Sequence, residues 1–177
     1  MSLARLLLPG QLPDGTLLPW SRIAGVTGYP SAVDGYTPWA ELVELRPGYD
    51  TRMIPSAAAG WVDAATGRAL VRGLGHFKDA AWTWCSTAPW NQDRLCATVG
   101  PGDARVTARL DELVHRWGSA GFSGRAWAPE EEVVIEAPRY ADSLILTAER
   151  SVLEVLMREG LEVHPVSRAR DIPIWCD

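Results

Sequence analysis

Groups able to do metal or nucleophilic chemistry are scarce in this chain, which holds three histidines and three cysteines in 177 residues. His76, Cys85 and Cys96 are the imidazole and sulfur groups closest together in sequence. Zinc sites declare themselves by paired Cys-x2–4-Cys or His-x3–5-His spacing, and neither occurs, so no metal centre is expected. The cysteines read instead as small buried apolar side chains. There is no Gly-x-Ser-x-Gly elbow for a serine nucleophile. A Cys85 pair with His76 or His115 is conceivable only in space, and each histidine reads as structural. Gly100-Pro101-Gly102 precedes a helical pattern but lacks the Walker lysine and the dinucleotide glycine spacing; a turn followed by a cap at Asp103 explains it.

One cluster is more specific. Glu130-Glu131-Glu132 opens the apolar run Val133-Val134-Ile135, after a loop bearing Phe122 and Trp127. Read plainly, it is a solvated acidic strand entry. Read as chemistry, the Glu-x-Glu at the mouth of a strand resembles the catalytic loop of ADP-ribosyltransferases. Val71-Arg72-Gly73-Leu74 looks like that family's strand-borne arginine, and Ser86-Thr87-Ala88 is similar to its Ser-Thr-Ser. The resemblance spans Arg72 to Trp175. It implies NAD as cofactor, with Glu132 stabilising the oxocarbenium-like charge as nicotinamide leaves and Glu130 orienting the acceptor. Ser86 would support Glu132, while Arg72 and Trp84 would contact the dinucleotide. The sequence departs from the family in its third motif residue, Ala88, and in the fourteen-residue spacing from Arg72 to Ser86. Arg22 is a better-spaced substitute for Arg72 without a motif around it.

The elements that must position these residues read as α+β, a mostly antiparallel sheet with two principal helices. Seven of thirteen prolines fall in residues 1–55, which predicts an irregular first third with short extended pieces at 16–20 and 22–26 and a strand at 38–46. Residues 61–72 read as a hairpin turning at Thr66-Gly67. A second hairpin pairs 82–87 with 94–99, bringing Trp84 opposite Ala97 and Cys85 opposite Cys96. The apolar stripe Val106, Leu110, Leu113, Val114 and Trp117 predicts a helix over about 103–118, capped by Asp103 and stopped by Gly118. Strands follow at 130–136 and 143–146, then a helix over about 148–159 capped by Thr147 and ended by Gly160, and a last strand at 161–166. One domain over 1–177 is expected.

Composition bounds the partners. Apolar residues are 47% and charged residues 22% of the chain, with a net charge of −5. Lys78 is the only lysine, and the arginines are scattered, so a phosphate-tracking nucleic-acid surface is not expected. No apolar stretch approaches the ~20 residues of a membrane span, and residues 1–8 are too short for a secretory core; a cytoplasmic protein is expected. Nine tryptophans stand against two phenylalanines. They serve either as core or as an exposed contact surface. The leading functional expectation is a non-catalytic binding or regulatory protein that engages a basic protein partner through a Trp-rich surface, with no cofactor; the alternative is the NAD-dependent transferase.

Overall fold

A computed structural model of the chain describes residues 1–28, 33–43, 56–58, 60–86, 104–137 and 141–167. The architecture is α+β. Seven strands form one sheet in which every described pairing is antiparallel, in the order β5-β4-β6-β7-β8-β1-β9. These strands are β1 (Ser2–Leu7), β4 (Trp82–Ser86), β5 (Ala104–Ala108), β6 (Gly124–Trp127), β7 (Val133–Ala137), β8 (Ser143–Ala148) and β9 (Val163–Pro165). A short ribbon, β2 (Gly10–Gln11) with β3 (Leu17–Leu18), stands apart.

The pleat sorts side chains onto two faces. Ala4, Leu6, Trp82, Trp84, Ala126, Ile135 and Leu146 belong to one core. That core is closed by α3 (Ala64–Gly73), α4 (Leu110–Ala120) and α5 (Arg150–Arg158) through Leu70, Leu74, Leu113, Trp117, Leu153 and Leu156. The opposite face carries one row across all seven strands: Arg105, Cys85, Arg125, Glu136, Ile145, Arg5 and His164. Near its β1 end a second core forms, with Leu7 against Trp20 and Ile23 of α1 (Trp20–Thr27) and Trp39 and Leu42 of α2 (Trp39–Leu42).

Several expectations are corrected. Residues 22–26 lie within α1 rather than in an extended piece, and the expected strand at 38–46 begins as α2. Both helices start directly after a proline, Pro19 and Pro38. A missing N–H costs nothing there, because the first helical N–H groups have no partner in any case. The hairpin expected at 61–72 is α3. Asp63 Oδ1 accepts from Ala65 N at 2.8 Å and Thr66 N at 3.1 Å, a side-chain cap that turns Thr66-Gly67 into helix.

Residues 104–108 are strand β5, so the helix begins at Leu110 behind Arg109, not at Asp103. Trp84 and Trp82 pair with Val106 and Ala108, and this long-range pairing takes Val106 out of the helical stripe. The helix also passes through Gly118 and ends at Gly121. Thr147 belongs to β8, with Glu149 at the cap of α5, while Gly160 does take the left-handed conformation at φ 86°. The pairing of Cys85 with Cys96 is excluded from the ladder: Cys85 pairs with Arg105 on one side and Arg125 on the other. The strand expected at 94–99 and Cys96 itself lie outside the described residues. Ser2–Leu7 form an inner strand between β8 and β9, a role the short apolar run at the start of the sequence did not announce.

Candidate functional site

Among the described residues, two clefts and a buried ion pair gather much of the chain's polar chemistry. The larger cleft, about 700 Å³, runs along the outside of the α3–α4 contact. Its floor is built from pairs four residues apart, Gly67 and Val71 on α3 and Val114 and Gly118 on α4, so each pair stacks on one helix face. The helices are close because these positions are small. A Cβ on Gly67 would come within 2.5 Å of Val114 Cγ1, and one on Gly118 within 3.1 Å of the Val62 carbonyl. Arg68, Arg72 and His115 stand on its walls with Asp63 and Asp111. Asp63 Oδ1 caps α3 while its Oδ2 is buried without a hydrogen-bond partner among the described residues, and Asp111 pairs with Arg109 at 3.4 Å. Arg72 Nε donates to Glu159 Oε2 at 2.6 Å. Arg68 has no hydrogen bond or ion pair among the described residues.

The smaller cleft, about 440 Å³, is lined by Glu130, Glu132, Glu149, His76, Phe77 and Met1 among others. Glu130 and Glu131 both sit at φ 57°, the left-handed region that residues other than glycine seldom adopt. Such a conformation costs about 1–3 kcal/mol each. Part of that is offset by Glu131, whose Oε2 accepts from Arg125 Nη2 at 2.8 Å. The expected strand at 130–136 therefore starts only at Val133, after a 3-10 turn over Pro129–Glu131.

The residues singled out from sequence are distributed as follows. Glu130 and Glu132 share the smaller cleft, whereas Arg72 lines the larger one. Thr83 pairs with Trp127, and Ala128 N donates to Val133 O, so Glu132 lies near the Trp82 end of β4. Ser86 is at the other end, roughly 13 Å along the strand at about 3.3 Å per residue. Trp84 is in the core, its Nε1 donating to Ser123 O at 3.0 Å and its ring stacked on Phe122. Arg22 is exposed on α1. Among the described residues no group of three or more His, Cys, Asp or Glu side chains is placed to hold a metal ion.

The tryptophans are chiefly core rather than surface. Of the seven described, Trp20, Trp39, Trp82, Trp84 and Trp117 are buried and Trp127 is half-buried; Trp61 is 48% exposed. Trp61 directly precedes Val62, which lines the larger cleft. Trp90 and Trp175 lie outside the described residues.

Sequence reasoning missed the ion pair. Arg5 and Asp142 are both fully buried, with Arg5 Nη2 3.1 and 3.2 Å from the two carboxylate oxygens. Arg5 also donates to Ser143 Oγ at 2.9 Å and to Thr37 O at 2.7 Å, and its guanidinium lies 4.9 Å from the Trp20 ring centre. Ser143 Oγ donates to Asp142 Oδ1 at 2.6 Å. Burial pushes the Asp142 carboxyl above its ordinary value, opposed by Arg5 and Ser143, and pulls the Arg5 guanidinium down. With its hydrogen bonds satisfied inside the protein, this cluster ties β1, β8 and residues 35–37 together and offers nothing to a ligand. A charged residue inside the apolar run of residues 3–8 was the available signal.

Comparison of the chain with family models, curated proteins and solved structures finds no match. Among the described residues no helix is long and apolar enough to cross a membrane.

Proposed function

We propose that this protein is a non-catalytic binding protein that engages a partner protein through the α3–α4 groove. One observation carries the reading: a cleft of about 700 Å³ sets Val62, Val71 and Val114 between walls bearing Asp63, Arg68, Arg72, Asp111, His115 and Ser119. A concavity of this size is the default place for a bound group or an inserted side chain. Among the described residues Trp61, exposed and next to the groove, is the tryptophan best placed for the expected contact surface, because Trp20, Trp39, Trp82, Trp84 and Trp117 are buried in the core. The test is a photo-crosslinking side chain placed at Ser119, on the groove, and at Lys78, which is exposed and outside it. In the native cell the Ser119 probe is expected to yield a discrete adduct that Val71→Glu removes and the Lys78 probe lacks. Equal adducts at both positions, or none at Ser119, would refute the reading.

A second reading, an ADP-ribosyltransferase-like enzyme with Glu132 as its catalytic glutamate and NAD as cofactor, has one observation in its favour. The strained Glu130–Glu131 turn accompanies two glutamates that share a cleft. It lacks a neighbouring Ser86 and an arginine in the same cleft, which is why it stands second. A rise in melting temperature with NAD that depends on the cleft residues His76 and Glu132 would move it ahead.

A further inference from the structure

Residues 34–37 are clasped onto β9, and the clasp closes over an imidazole with an unmatched nitrogen. Ser167 N donates to Tyr36 Oη at 2.6 Å, and the two hydroxyls lie 2.9 Å apart. Arg5, on the neighbouring strand β1, donates to Gly35 O at 3.4 Å and to Thr37 O at 2.7 Å. Asp34 Oδ1 fixes the turn by accepting from Tyr36 N at 2.7 Å and Thr37 N at 2.8 Å. The approach is close: a Cβ on Gly35 would run into Val166 Cγ1 and come within 3.4 Å of His164 Cβ.

His164 stands directly opposite Arg5 in the β1–β9 register, so the two side chains share one face of the sheet. Its Nε2 is buried with no hydrogen-bond partner among the described residues. The charged groups that act on it are Glu162 just ahead of β9, Asp34 in the clasp and Arg5 on β1. Burial is the largest influence and holds the ring below its ordinary value; Arg5 adds to that, while Glu162 and Asp34 oppose it. Both carboxylates have other work. Glu162 accepts from Trp20 N at 2.6 Å and Ser21 N at 2.9 Å, and Asp34 holds its own turn. Asp142 is committed to Arg5. A proton on Nε2 would therefore sit beside a buried guanidinium with no acceptor to receive it, and an unmade bond at a buried donor is costly. Water admitted by opening the clasp removes both obstacles.

We propose that His164 is an acid-sensing latch, whose protonation releases residues 34–37 and the 164–167 end of β9 from each other while the rest of the sheet stays closed. The corner is the part able to give way. Its Tyr36–Ser167 contacts are exposed, whereas β6, β7 and β8 are each paired on both sides, and local opening of such a segment costs less than global unfolding. Because the ring binds its proton less readily in the closed corner than in the open one, closure is favoured at neutral pH and weakens as pH falls through about 6.5.

The test is amide hydrogen exchange of the whole chain, read residue by residue by NMR at about pH 5.5 and 7.5 and corrected for intrinsic rates. Two amides report on the corner: Ser167 N, bonded to Tyr36, and Val166 N, which donates to Leu3 O. Their protection is expected to fall several-fold at the lower pH. About tenfold is the ceiling for one proton taken up at an ordinary imidazole value. Ala126 and Ile135, paired in the middle of the sheet, should keep their protection. His164→Gln should leave Ser167 and Val166 insensitive to pH over this interval. Corner amides that hold their protection at pH 5.5 overturn the latch, as does a fall shared equally by Ala126 and Ile135 or a pH response that persists in His164→Gln. If that variant does not fold, the imidazole's own NMR titration in the natural chain takes its place: an apparent value below about 6.5 supports the latch, and one at or above it overturns it.

Discussion

Replacing Arg5 by methionine probes the most heavily loaded contact in the fold. The substitution keeps an unbranched apolar stem but removes the guanidinium from a site where neither it nor Asp142 is exposed. Asp142 would keep Ser143 Oγ as a donor and lose both contacts from Arg5. Breaking a buried pair by deleting one partner costs about 3–5 kcal/mol, because the remaining charge is uncompensated. The loss of the bond to Thr37 O and of the contact with the Trp20 ring argues for the upper half of that range. At about 2–4 °C per kcal/mol for a chain of this size, the melting temperature should drop by roughly 8–20 °C.

The pH dependence has a definite sign. Burial already holds the Asp142 carboxyl above its ordinary value, and removing Arg5 deletes the largest opposing influence, so in the variant it rises further. A folded-state value above the unfolded one of about 3.9 means that the fold prefers the neutral acid. That contribution is fully present below about pH 3.9 and is lost as pH rises through the folded value. The deficit of Arg5→Met relative to the natural chain should therefore be smaller near pH 4, where the lost contacts to Thr37 and Trp20 remain, than at pH 7. Urea denaturation at intervals from pH 4 to 8 reads it directly. The double variant Arg5→Met/Asp142→Leu should recover most of the loss at pH 7, since an apolar pair of similar volume replaces the ion pair without an orphaned charge. A deficit under about 1 kcal/mol at pH 7, or one that does not change with pH, would refute the reasoning.

Other perturbations test other joints of the fold. Gly10→Ala directs a methyl into the Trp39 ring and within 2.8 Å of Ile23 Cδ1, both in the second core; a loss of about 1–3 kcal/mol in urea denaturation is expected. Asp63→Ala removes the α3 cap and should cost about 0.5–2 kcal/mol. Urea denaturation reads the loss directly. His164 is held below its ordinary value chiefly by burial, and its Nε2 is buried without a partner among the described residues. Because the unfolded chain takes up that proton more readily, His164 should remove stability as pH falls through about 6.5. His164→Gln should flatten the denaturant midpoint between pH 5.5 and 7.5.

Much of the second half of the chain was legible because local and tertiary signals agree there. The apolar run at 133–135, the strand at 143–146 and the Gly160 stop all name elements found. The helix now seen from Leu110 was visible through Leu113 and Trp117, but its start was not. Val106 fits a helical stripe as well as a strand, and only pairing with Trp84 decides between them. Thr66-Gly67 reads as a turn until Asp63 caps the segment and Gly67 is needed small against Val114.

The sequence by itself determined the α+β class, the scarcity of metal and nucleophile chemistry, the acidic balance, the apolar stripe of α4 and the Gly160 stop of α5. These follow from residue counts and from the periods of helix and strand, which are local properties. Tertiary structure decided the rest. Whether Pro19 and Pro38 break or begin an element depends on what their neighbours can pack against. Whether a tryptophan is core or contact surface depends on which sheet face it shares. The α3–α4 groove and the Arg5–Asp142 pair each join residues dozens to more than a hundred positions apart, and no spacing along the chain records that proximity.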